Sequence, residues 1–80
     1  MAPEQIKQLI EQGLAGARAI VSGDGQHFEA VVVSEAFAGK TMVQQHQLVY
    51  RALGDKMEVE IHALSLRTFT PEQWGQQSGT

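Results

Sequence analysis

The chain has 80 residues, enough for one small domain with a thin core, since a polypeptide of this size buries only about 60% of its unfolded surface. Hydrophobic residues at 42% and charged residues at 19% exclude a chain that is disordered throughout. There is no cysteine, which removes disulfides, a thiol nucleophile and the cysteine-based metal patterns, and the net charge of −3 argues against a domain that is basic overall and built to grip phosphates.

Pro3 suits the first turn of a helix, where its missing N–H would have no partner anyway. Ile6, Leu9, Ile10 and Leu14 follow at helical spacing, and Gly13 and Gly16 set the end. Residues 17–22 read as a strand, with Ala17, Ala19 and Val21 on one face and Arg18 and Ile20 on the other. Gly23-Asp24-Gly25 supplies turn residues, and a second strand runs from His27 to Ser34. Phe28, Ala30 and Val32 share one face of it. His27, Glu29, Val31 and Val33 share the other. Its β-branched run on both faces predicts a central strand.

Residues 34–40 form a connector with room for one helical turn at Glu35-Ala36-Phe37. Thr41 and Gln44 then have the spacing of a capping box. Met42, His46, Val49 and Leu53 fall on one stripe of the helix that follows, and Gly54 suits its C-terminal end. Residues 58–67 read as the last strand, with His62, Leu64 and Leu66 on one face. Thr70-Pro71-Glu72-Gln73 is a further cap, and Trp74 docks that short element onto the domain.

The expected architecture is therefore α+β, in the order α-β-β-α-β with a short C-terminal helix. A three-stranded mixed sheet carries the helices on one face, and the crossover helix makes the second and third strands parallel. One domain is expected over residues 1–80, ordered from about 3 to 75, with a polar, frayed tail at 76–80. No apolar run reaches the length of a membrane span, and the early Glu4 does not suit a secretory signal. The cytoplasm is the expected location.

No common catalytic pattern survives inspection. Gly23 and Gly25 join two strands, not a strand and a helix, so they make no phosphate loop. No HExxH helix is present, and the carboxylates are scattered. An enzyme is not expected. The three histidines are the candidate ligands. His27 begins the second strand and His62 lies early in the third, so parallel neighbours would bring both to one end of the sheet. The ordinary reading of each is a strand-edge residue, and of His46 a packing residue with hydrogen-bonded ring nitrogens. Lys40, Arg51, Lys56, Arg18 and Arg67 could gather into a basic patch, against the simpler reading of a solvated mixed surface. Phe37 and Trp74 read as space-filling residues.

Gln26-His27-Phe28-Glu29-Ala30-Val31-Val32-Val33-Ser34 resembles the BolA family. So do Phe37-Ala38-Gly39-Lys40, Gln45-His46-Gln47-Leu48-Val49-Tyr50, Ile61-His62-Ala63-Leu64-Ser65-Leu66-Arg67-Thr68 and Thr70-Pro71-Glu72-Gln73-Trp74. Order, spacing and length agree with a short bacterial form, over nearly the whole chain. The resemblance implies a class II KH-like fold, in line with the strand order. It implies a monothiol, CGFS-type glutaredoxin as partner. The pair can share a [2Fe–2S] cluster held by the glutaredoxin cysteine, a glutathione thiol and ligands from this side. The family's last-strand histidine matches His62, and its His-or-Cys loop ligand matches His27. The helix histidine matches His46, which is expected to be structural, as is Trp74. Gly39, Lys40 and the end of the last strand, with Arg67, are expected to form the partner surface.

Two imidazoles cannot hold such a cluster alone, because iron–sulfur centres take four ligands. Partner thiols must supply the rest, so the missing cysteine is no objection. Acid is expected to weaken the site by protonating His62 or His27. The alternative that the resemblance carries is a nucleic-acid-binding regulator of stress response. Against it, a nucleic-acid-gripping KH domain uses a GxxG loop, and Phe37–Lys40 contains only Gly39. DNA is thus a possible second partner. The free protein is expected to be a monomer or a weak dimer.

Overall fold

Helix α1 spans Pro3–Gly13, with Pro3 in its first turn, and the Gln5 side-chain oxygen accepts the Ala2 N–H at 2.8 Å. The computed structural model describes residues 2–55 and 63–78. Ile6 and Ile10 of α1 are fully buried and Leu14 nearly so. Gly13 is more than a helix terminator. A β-carbon there would stand 2.8 Å from Ala52 Cβ, so the glycine lets α1 lie tightly against the second helix.

Strand β1 (Arg18–Gly23) pairs antiparallel with β2 (His27–Val33), and β2 pairs parallel with β3 (Ala63–Phe69). The order is β1-β2-β3, so β2 is central, as its apolar run predicts. Between β2 and β3 the chain makes a 3-10 turn at Glu35–Phe37 and then helix α2 (Met42–Leu53). Thr41 and Gln44 form the expected box: Thr41 Oγ1 accepts from Gln44 N–H at 3.2 Å, and Gln44 Oε1 accepts from Thr41 N–H at 3.0 Å. Thr70 and Gln73 repeat it at the start of α3 (Pro71–Ser78).

Ile6, Ile10 and Leu14 of the α1 segment, Phe28, Ala30 and Val32 of β2, Phe37, and Val49 and Leu53 of α2 make one core. Each large side chain fully buried there contributes roughly 1.5–3 kcal/mol. Helices α1 and α2 thus cover the Phe28 face of the sheet. Helix α3 leans on the sheet end through Trp74, whose ring lies 5.4 Å from that of Phe69.

Three details differ from the sequence reading. Met42 is 69% exposed, although it falls on the helical stripe of Val49 and Leu53. It stands at the first position of α2, over an open hollow beside Thr68 and Phe69, and the buried stripe begins further along the helix. The last strand continues past Arg67 to Phe69, and the final helix reaches Ser78, beyond the expected end of the ordered core. Val33 points away from the Phe28 face and is 6% exposed, in keeping with a central strand that is apolar on both faces: its neighbour across the sheet is Phe69, and Trp74 shares its hollow. Residues 58–62, expected at the start of the last strand, lie outside the described residues.

Candidate functional site

The hairpin between β1 and β2 is held by one carboxylate. Asp24 Oδ1 accepts from the Gln26 and His27 N–H groups, each at 2.9 Å, and the Asp24 N–H donates to the His27 carbonyl at 3.2 Å. These two backbone N–H groups, His27 first and then Gln26, hold the Asp24 carboxyl below the usual carboxylate range. The second oxygen, Oδ2, lies 4.0 Å from His27 Nδ1. The His27 side chain is 77% exposed.

His27 is paired in register with Ala63 across the parallel β2–β3 ladder. His62, the expected first ligand, lies outside the described residues. It precedes Ala63 in the sequence. Among the described residues no group of three or more His, Cys, Asp or Glu could hold a metal.

The expected partner residues sit elsewhere. Phe37-Ala38-Gly39-Lys40 is a type II turn: the Lys40 N–H donates to the Phe37 carbonyl at 3.2 Å, Ala38 has φ −62° and ψ 133°, and Gly39 has φ +74°. Gly39 is thus required by the turn itself. Gln45 ties this turn to the sheet. Its Nε2 donates to the Phe37 and Lys40 carbonyls at 3.1 and 3.0 Å, and its Oε1 accepts from Thr68 Oγ1 at 2.6 Å. Thr68 and Phe69 end β3, whereas His27 and Ala63 begin the β2–β3 pair. The two groups are therefore separated by the length of a seven-residue strand, about 20 Å.

Arg67 lies between them, exposed, with its guanidinium carbon 5.6 Å from the centre of the Phe69 ring. Arg18 on β1 is in register with Val33 and Arg67 on β3 with Val31, so the central strand β2 lies between them. Lys56 lies outside the described residues. His46 is half-buried and meets Tyr50 edge-on, with ring centroids 6.4 Å apart. Its ring nitrogens make no hydrogen bond among the described residues, unlike the expected packing histidine with hydrogen-bonded nitrogens, and it lines an open groove with Met42, Leu66 and Arg67. Trp74 is half-buried against Phe69, as expected, and Phe37 is fully buried.

Two residues gain importance from the structure. Asp24 is legible in the sequence as a turn residue, but its reach to His27 is not. Gln45 carries no local signal, since its partners are eight, five and 23 residues away.

Comparison with known proteins bears on the fold and the family. Residues 9–73 match the family model described as BolA-like protein. The chain is 35% identical over 75 residues to the acid stress protein IbaG of Escherichia coli K12, covering 92% of this chain and 89% of that one. It is 37% identical over 76 residues to the DNA-binding transcriptional regulator BolA of Vibrio cholerae, covering 95% of this chain and 69% of that one. The structure of a BolA protein homologue from Coxiella burnetii superposes with a TM-score of 0.86 at 51% identity, over 92% of this chain and 96% of that one. The chain spans about half the length of the mammalian BolA-like protein 1 relatives, 47% of that from Pongo abelii and 44% of that from Mus musculus. The Vibrio cholerae relative is named as a regulator and the Escherichia coli one as a stress protein, neither as an enzyme. No helix among the described residues is long and apolar enough to cross a membrane. The α-β-β-α-β order, the mixed sheet and the match over most of its length together make this chain a member of the BolA family.

Proposed function

We propose that this chain is the partner of a monothiol glutaredoxin and shares a [2Fe–2S] cluster with it, in iron–sulfur trafficking or in iron and stress regulation. Such a cluster takes four ligands, mostly thiolates. The sequence has no cysteine, so the thiols come from the glutaredoxin and from glutathione. This chain supplies imidazole nitrogen. The observation that carries the reading is His27: an exposed imidazole on a hairpin hydrogen-bonded through Asp24, in register with the residue that follows His62. The donor chemistry fits a shared site, because single imidazoles are available where a complete ligand set is not. His62 is the first ligand in this reading and His27 the second. Gly39, Lys40 and Arg67 face the same partner from farther along β3, so its footprint runs the length of that strand.

The test is reconstitution. The protein is mixed with a monothiol glutaredoxin, glutathione, iron and sulfide, and visible absorption and circular dichroism are recorded. The expected spectrum differs from that of the glutaredoxin alone and is lost or altered in His62→Ala. A spectrum identical with and without the protein overturns the proposal.

A second reading is DNA binding, favoured by the names of the Vibrio cholerae and Haemophilus influenzae relatives, each a DNA-binding transcriptional regulator. The charge of −3 and the single glycine of the Phe37–Lys40 turn weigh against it. A gel shift whose affinity falls steeply with salt would restore it. Negligible binding at low salt would end it.

A further inference from the structure

The Asp24 carboxylate does two things at once. One oxygen is fixed by two backbone N–H groups. That anchoring sets the direction of the other oxygen, which lies 4.0 Å from Nδ1 of His27. This is an ion-pair distance and not a hydrogen bond. A hydrogen bond between them needs hydrogen at Nδ1 and an approach of about 1 Å by two side chains that are both exposed. The other ring nitrogen, Nε2, has no hydrogen bond among the described residues, and the ring is 77% exposed.

We propose that Asp24 is a positioning residue for His27: it holds the ring in the Nδ1–H form, so that Nε2 is the atom offered to a metal. The inference rests on the shared-cluster reading and adds a residue to it. In a neutral imidazole one nitrogen carries the proton and the other the lone pair, and the partner of the first decides which is free. A histidine ligand backed by a carboxylate has its tautomer fixed and its ring oriented, and loss of the backing group costs about 10–100-fold in metal affinity. An isolated imidazole in water prefers the Nε2–H form. Asp24 therefore has to reverse a preference, which makes its action visible without any metal.

The experiment reads the free protein first. Long-range ¹H–¹⁵N NMR at neutral pH assigns the tautomer of His27. In the wild type the Nδ1–H form is expected to dominate. Asp24→Ser retains an oxygen to cap the turn but has no second oxygen for the ring, and the Nε2–H form should take over. Asp24→Asn retains the cap through its amide oxygen and serves as the check on folding. In the mixed complex with glutaredoxin and glutathione, the cluster's half-life against a chelator should fall about tenfold in Asp24→Ser, at the low end for an exposed pair. A wild-type His27 already in the Nε2–H form, or one unchanged by both substitutions, overturns the inference. A changed tautomer with an unchanged cluster lifetime overturns its metal-binding half. Absence of any mixed cluster in the wild type overturns the function proposed above, while the tautomer measurement still decides what Asp24 does to His27.

Discussion

Replacing Gln45 by alanine removes a side chain that joins the Phe37–Lys40 turn, α2 and the end of β3. Three hydrogen bonds go: two to carbonyls and one from the Thr68 hydroxyl at 2.6 Å. The bonds to the Phe37 carbonyl and from Thr68 are partly buried, and that to the Lys40 carbonyl is exposed. A net 0.5–1.5 kcal/mol per bond, with the exposed one at the bottom of that range, gives a loss of about 2 kcal/mol. For a domain of this size that lowers the Tm by about 8–16 °C. Urea unfolding followed by circular dichroism measures it, and the slope m should stay unchanged. A cycle with Thr68→Val isolates the side chain–side chain bond, and a coupling of about 1 kcal/mol is expected. A loss below about 0.5 kcal/mol, or no coupling with Thr68, would refute the bridge, because water would then be replacing it at no cost.

Gly13→Ala should destabilise in spite of alanine's helix preference of about 1 kcal/mol. The new methyl group would sit 2.8 Å from Ala52 Cβ and 3.0 Å from its α-carbon, and overpacking costs about 1–3 kcal/mol. A thermal melt that rises would mean the helices are not in tight contact, and pairing the change with Ala52→Gly should cost less than the two single changes together. Phe37→Ala empties a fully buried position and should cost about 3–5 kcal/mol by the same denaturant assay. Asp24 gives a pH prediction. Its folded carboxyl titrates below the unfolded value of about 3.9, so its contribution is complete above that value and disappears as the pH falls through the lowered one. Unfolding curves at a series of pH values should show a shallower acid loss in Asp24→Asn than in the wild type. Equal slopes would mean that the backbone N–H groups do not favour the charged carboxylate.

Much of the fold is legible in the sequence because its signals are local. The Thr41/Gln44 and Thr70/Gln73 boxes sit where the spacing puts them, since each closes over three residues. The central place of β2 follows from Val31-Val32-Val33, which leaves no polar face to turn to water. What the sequence hides is non-local. Met42 obeys the helical period but stands at the first position of α2 over an open hollow beside Thr68 and Phe69, and periodicity cannot report where packing gives way to a hollow. Val33 obeys the strand period, but its register partner Phe69 and Trp74, which lines the same hollow, come from the far end of the chain. Within the site, His27 is marked by its place at the start of the second strand and by the family resemblance. Its register with Ala63 depends on the parallel pairing of β2 and β3, which the intervening helix implies. Gly39 reads as a departure from a GxxG loop, yet its φ of +74° shows a residue held there by the turn.

The separation of the two candidate regions makes the proposed partner contact divisible. Asp24 and His27 act at one end of the β2–β3 pair, and Gln45 acts at the other, about 20 Å away along β3. Sites farther apart than 7–10 Å that share no partner combine independently. Gln45→Ala should therefore weaken association with glutaredoxin and leave the His27 tautomer untouched. Asp24→Ser should change the tautomer and the cluster lifetime and leave the association of the metal-free proteins nearly unchanged. In the double variant the two fold-changes should multiply. Binding measured without iron, set beside cluster lifetime measured with it, separates the terms. If Asp24→Ser weakened metal-free association as much as Gln45→Ala, the hairpin would be part of the docking surface itself, and a division of this strand into a ligand end and a contact end would have to be given up.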